Sequence, residues 1–253
     1  MAQVPAARQT LAVLRFLARQ ATPVAAATIA RELRLPRSTT YHLLATLQED
    51  GFVVHLPDER RFGLGVAAYE LGTGYTRQAP LQRLARPQLA TLVDRTRHAA
   101  RLGVLHGRDV LFVQEERAPG RPPLVTDAGV RLPAQLTASG RAMLAALPPQ
   151  QVRALYPDPS AFVLRHDAGP RSPSALRQIL VDARRQGYAT EDGEVTPGFA
   201  SVAAAVLDHT GHPIASIALT YPQSDVTKRD VAELAERVID SARRLSRRIS
   251  GGR

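Results

Sequence analysis

Residues 28–47 read TIARELRLPRSTTYHLLATL, and this stretch decides the architecture of the first part of the chain. Ala27, Ile29, Ala30 and Leu33 recur at helical spacing. That helix must stop before Leu35-Pro36, because a residue preceding proline is steered away from helical angles. A second helix is predicted from about Arg37 to Asp50, with Tyr41, Leu43, Leu44, Thr46 and Leu47 spaced three and four apart and Gly51 just past its end. Upstream, Leu11, Val13, Leu14, Phe16, Leu17 and Ala18 give an amphipathic helix over residues 9–19. Downstream, residues 52–56 are strand formers, 57–60 form a turn, and 61–64 return as a partner strand. Three helices followed by a hairpin make a winged helix-turn-helix, in which one helix enters the DNA major groove while its predecessor braces across the phosphates.

The reading helix therefore begins at Arg37, the best placed side chain for bidentate guanine recognition, with Ser38, Thr39 and Tyr41 as short polar contacts. Arg60 and Arg61 stand at the wing tip, where a hairpin meets backbone or minor groove. Residues 8–48 carry Arg8, Arg15, Arg19, Arg31, Arg34 and Arg37 against Glu32 alone, a local excess of +5 within a chain of net charge +10. Such an excess favours a polyanionic partner through release of condensed counterions. Lys228 is the only lysine, so arginine carries nearly all of this charge.

At 253 residues and 44% hydrophobic content the chain can bury more than one core. It has no cysteine, which excludes disulfides, thiolate metal sites and thiol nucleophiles. No apolar run approaches the roughly 20 residues of a membrane span, and Arg15 interrupts the first hydrophobic stretch, so the expectation is a cytoplasmic protein with no membrane partner. Helices are predicted at 66–75 and 81–98 around Gly72-Thr73-Gly74 and Pro80. The resulting division is a DNA-binding domain at 1–64, a helical linker at 65–98 and a second domain at 99–253.

That second domain mixes strands (101–105, 110–115, 201–207, 213–220) with helices (139–146, 149–156, 174–186, 226–249). The pattern is α+β and sensor-like, not a doubly wound parallel sheet. His209-Thr210-Gly211-His212 has metal-like spacing but occupies a hairpin turn without a third ligand cluster. Residues 63–68 fit the loose dinucleotide fingerprint but follow a basic wing strand. Arg243, Arg244, Arg247 and Arg248 form a basic stripe on the last helix, which reads as a solvated face or, alternatively, as a further DNA or subunit contact. No nucleophile, base and orienting group fall into a recognisable order, so neither an enzyme nor a cofactor or metal site is expected.

The stretch 28–47, followed by Gly51-Phe52-Val53, resembles the amino-terminal domain of the IclR family of bacterial regulators. The resemblance continues at residues 132–145 (LPAQLTASGRAMLA), at 191–194 (EDGE) and at 198–204 (GFASVAA). It implies that Arg37, Ser38, Thr39 and Tyr41 lie on the recognition helix with Leu43, Leu44 and Leu47 in the core. His42 stands where the family frequently has arginine, and reads either as a weakened phosphate contact or as a surface residue. It further implies a GAF-like C-terminal domain that binds a small effector, often an organic acid or aromatic compound. The implied lining is Leu132, Ser139, Gly140, Met143, Glu191, Phe199, Ser201, Ala218 and Thr220, with Ser201 where a cysteine is common.

From the residues alone, the helix opened by Thr137-Ala138-Ser139-Gly140 offers free backbone donors to a carboxylate or hydroxyl, and Gly140 permits close approach. Glu191 and Asp192 oppose an anion unless one is protonated or turned to solvent. Phe199 and Ala218 read equally well as sheet core, and Thr137 as an ordinary cap. The expected molecule is a homodimeric or homotetrameric regulator binding operator DNA and a small effector. The alternative is a constitutive DNA-binding regulator whose second domain serves only assembly.

Overall fold

The computed structural model describes residues 4–78, 80–119 and 128–250. It divides into two compact units, 1–79 and 80–253.

In the first unit, α1 (Pro5–Leu17), α2 (Ala26–Leu33) and α3 (Arg37–Glu49) precede the hairpin of β1 (Val53–Leu56) and β2 (Arg61–Leu64), and α4 (Val66–Gln78) follows. Thr40, Leu44 and Leu47 form the buried face of α3, against Val13 and Leu17 of α1, Ile29 of α2, and Val53 and Phe62 of the wing. Burying a side chain of this kind contributes roughly 1.5–3 kcal/mol. Leu43 is only partly buried. The turn between α2 and α3 is made by Arg34, in the left-handed region at φ 53°, with the Leu35 amide donating to the Ala30 carbonyl. The wing is held to the helices by reciprocal backbone bonds between Val24 and Phe62. Where β2 leads into α4, a Cβ on Gly65 would stand 2.2 Å from the Gly51 carbonyl oxygen, so the chain can pass there only as glycine.

The second unit contains α5 (Pro80–Thr96), β3 (Ala99–His106), β4 (Asp109–Glu116), β5 (Arg131–Pro133), a 3-10 turn (Ala134–Leu136), α6 (Ala138–Ala146), α7 (Pro149–Leu155) and α8 (Pro173–Gln186). They are followed by β6 (Ala189–Asp192), β7 (Phe199–Leu207), β8 (Pro213–Pro222) and α9 (Lys228–Ile249). Among the described residues the strands form one antiparallel sheet in the order β5-β4-β3-β8-β7-β6. Period-two alternation sorts the side chains. Leu102, Val202, Ala204, Ile217 and Leu219 face Leu89 and Leu92 of α5 and Val238 and Leu245 of α9. Phe112, Ala203 and Ala218 face the other way, with Met143 and Leu144 of α6 and Leu176 and Leu180 of α8. The result is a sheet between two helical layers.

Two expectations need correction. The two helices predicted within 65–98 form no separate linker: the units divide at Pro80, where the sequence breaks them, α4 falls in the first unit, and α5 buries Ala85, Leu89, Leu92 and Val93 in the core of the second. Helix α4 also extends past the predicted end at 75, to Gln78. Strands β5 and β6, three and four residues long, are additional to the predicted set.

Candidate functional site

The first unit presents α3 with Arg37, Ser38, Tyr41 and His42 exposed and Thr39 half-buried, while Leu44 and Leu47 hold the opposite face inside. An open groove between helix and wing is lined by Tyr41, Ala45 and Gln48 from α3 and by His55 and Arg60 from the hairpin. His55 stacks on Phe62 at 4.5 Å between ring centroids, which stiffens the wing base. Arg60 is exposed at the turn, in the left-handed region at φ 52°. Arg61 is also exposed, but its guanidinium donates to the Pro23 carbonyl at 3.3 Å and so also tethers the wing to the helices. Arg8, Arg15, Arg19, Arg31, Arg34 and Arg37 are all exposed, which puts the local positive excess on the surface.

The second unit encloses a cavity between the amino end of α6 and the strands β3, β8, β7 and β6. Sheet register builds it. Glu191 pairs with Ser201, and Ser201 with Thr220, so three polar side chains from three strands fall in one cross-strand row on the α6 face. The Ser201 hydroxyl donates to Glu191 Oε1 at 2.8 Å and lies 2.8 Å from Thr220 Oγ1, which accepts from Arg101 Nη1 at 2.5 Å. Because the single proton of Ser201 goes to the carboxyl, that of Thr220 must go to Ser201, and the chain runs one way from guanidinium to carboxyl. Arg101 is buried, and its register partner Glu115 pairs with it at 3.5 Å.

Opposite the row, the Thr137 side chain accepts from the Gly140 amide at 2.9 Å and caps α6. Ser139, 1% exposed, lines the cavity with its Oγ lacking a hydrogen-bond partner. A buried hydroxyl without a partner costs about 1–3 kcal/mol, which a ligand would recover. Phe112, Val195, Phe199 and Ala218 supply apolar wall. Burial raises the Glu191 carboxyl to about 7, opposed chiefly by the Ser201 hydrogen bond. The free volume is about 20 Å³, close to one water molecule, so an organic ligand requires the walls to part.

Of the residues expected to line this site, Ser139, Glu191, Phe199, Ser201, Ala218 and Thr220 converge on the cavity and Leu132, Gly140 and Met143 do not. Leu132 and Met143 are core. Gly140 serves a different close approach: a Cβ there would lie 2.2 Å from the Ala134 carbonyl oxygen, so its missing side chain lets α6 pack on the preceding 3-10 turn. Sequence reasoning missed Arg101, Phe112, Val195 and Thr196 as lining residues. An arginine within the apolar run Ala99-Ala100-Arg101-Leu102 was the available signal for the first.

Arg141 was also passed over. Buried on α6, it donates from Nε to the Gln135 carbonyl at 2.9 Å, from Nη1 to the Thr190 carbonyl at 2.7 Å and from Nη2 to Glu194 at 2.6 Å, binding the helix to β6 and the turn after it.

Comparison with known proteins agrees with this two-part arrangement. The IclR helix-turn-helix domain matches residues 6–57, and the bacterial transcriptional regulator IclR C-terminal domain matches residues 73–247. The chain is 31% identical over 244 residues to the glycerol operon regulatory protein of Streptomyces coelicolor, covering 96% of this chain and 95% of that protein. It is 27% identical over 253 residues to the transcriptional repressor IclR of Escherichia coli, covering 99% and 92%. An IclR homologue from Microbacterium hydrocarbonoxydans, solved in complex with 4-hydroxybenzoate, shares the fold with a TM-score of 0.78 at 22% identity, covering 98% of this chain and 100% of that one. No described helix is long and apolar enough to cross a membrane. The C-terminal match alone spans more than half of the sequence, and the chain belongs to the IclR family of bacterial transcriptional regulators, with an N-terminal helix-turn-helix and a C-terminal effector domain.

Proposed function

We propose that this regulator places α3 in the major groove of its operator through Arg37, Ser38, Thr39, Tyr41 and His42, with Arg60 and Arg61 of the wing on the backbone. The cavity beneath α6 is the effector site, and its ligand is a small organic acid or aromatic carboxylate. The observation that carries this reading is the unpartnered Ser139 hydroxyl, buried at a helix start beside the polar row from Arg101 to Glu191. The 4-hydroxybenzoate bound by one homologue supports the ligand class. The protein acts in the cytoplasm as a homodimer or homotetramer, since one short helix reads too few base pairs alone.

Two substitutions test the two halves. Arg37→Ala is expected to weaken specific operator binding by about 1–3 kcal/mol, with nonspecific DNA affected much less. Equal loss on both DNAs in a gel-shift titration would reduce Arg37 to a phosphate contact. Ser139→Ala removes an unpartnered hydroxyl, so the free protein should keep its stability or gain slightly, while release of operator by 4-hydroxybenzoate and related carboxylates should need roughly 10-fold more compound. An unchanged dose response would take Ser139 out of the site.

A further inference from the structure

The charge balance of the cavity constrains how it can accept a carboxylate. Arg101 is engaged by Glu115, which Arg117 also approaches at 3.5 Å, and each guanidinium nitrogen of Arg141 bonds Glu194 or one of two carbonyls. Three guanidinium groups thus face Glu115, Glu194 and, through the hydroxyl row, Glu191 itself, so the cations are matched only when Glu191 is ionised and an incoming carboxylate would exceed them by one charge. The Ser139 hydroxyl and the amino end of α6 offer an incoming anion donors that are together worth a fraction of one charge. Across the cavity stands the buried Glu191 carboxyl. Two carboxylates in so small a space repel strongly, and the low dielectric amplifies the cost.

We infer that the cavity takes up its carboxylate together with one proton, which comes from solvent and ends on Glu191. This rests on the effector reading above. Glu191 lines the cavity, and its neighbours in β6, Thr190 and Asp192, alternate to the other face of the strand. Burial acts on Glu191 most and the Ser201 and Val195 hydrogen bonds oppose that, while of the charged groups Glu194 from the following turn disfavours ionisation and Arg141 from α6 favours it. Tyr221 of β8 lies near enough to feel both Glu191 and Asp192, and Arg101 of β3 reaches it through two hydroxyls. The α8 face against β6 is apolar, with Leu176, Leu180 and Ala183. In the free protein the carboxyl, at about 7, is close to half protonated at neutral pH. An anion beside it raises that value further, so binding and protonation reinforce each other.

Isothermal titration of the full chain with benzoate, 4-hydroxybenzoate and propionate, in buffers of different protonation enthalpy, tests this directly. Uptake of about half a proton per carboxylate is expected at pH 7, approaching one at pH 8, with affinity falling toward tenfold per pH unit above 7. Glu191→Gln should bind with an affinity independent of pH. Carboxylate binding without proton uptake, or an unaltered pH slope in Glu191→Gln, would overturn the inference and leave the effector site standing. So would binding of neutral phenols and alcohols alone. Failure of both ligand classes to bind would overturn the effector reading as well. The proton count is measured on the native chain, so the test survives a variant that folds poorly.

Discussion

Replacing Arg141 by alanine is expected to destabilise the C-terminal unit by about 3–5 kcal/mol, the range for removing one partner of a buried ion pair. The loss is large because three acceptors are abandoned at once: Glu194, with its side chain 16% exposed, and the carbonyls of Gln135 and Thr190. These belong to the turn before α6, to β6 and to the loop after it, so the substitution frees three segments that form one side of the cavity. For a unit of this size such a change lowers the midpoint of thermal unfolding by roughly 6–20 °C. Arg141→Lys should recover only part of it, because an ammonium is a point donor and the three acceptors lie around a planar fork. Urea unfolding followed by circular dichroism is the suitable measurement in a chain without tryptophan. A loss under 1 kcal/mol would mean that water replaces the guanidinium and that α6 is held by its apolar face alone.

Arg141 also illustrates what the sequence does and does not make legible. The helix-turn-helix can be read residue by residue, because its determinants are local: apolar spacing in α3, Pro36 before its first turn, Gly51 after its end, and strand formers around residues 57–60. Helix α5 shows the limit of that approach. The spacing of Ala85, Leu89 and Leu92 declares an apolar face but not the surface that receives it, so a core helix reads as a linker. Strands β5 and β6 are too short for alternation to register. The cavity is less legible still, since Glu191, Ser201 and Thr220 lie ten and nineteen positions apart and are joined only by ladder register. Contiguity misled in the other direction around α6: successive residues point about 100° apart, so Ser139 faces the cavity while Gly140 faces Ala134.

Glu191→Gln is expected to stabilise the free protein at alkaline pH and to do little in acid. In the unfolded chain this carboxyl titrates near 4.5, and in the folded chain near 7, with burial the main cause. Below pH 4.5 both states carry the proton and the group contributes nothing to the difference. As pH rises from 4.5 to 7 the unfolded chain gives the proton up and the folded chain keeps it, so stability falls. Above pH 7 both are ionised and the penalty is complete, on the order of 3 kcal/mol. Glutamine preserves the shape and can still accept from Ser201, yet it has no proton to lose. The stability gap between variant and native chain should therefore widen by about 2–3 kcal/mol between pH 5 and pH 8 in urea titrations. All other groups titrate in both proteins and cancel in that difference. Parallel pH profiles would show that water or a shift of Arg101 already solvates the carboxylate. A widening gap would mean that the native chain keeps an acid at a cost that glutamine avoids. Stability is commonly lost at positions retained for binding, which is the role the cavity gives this carboxyl.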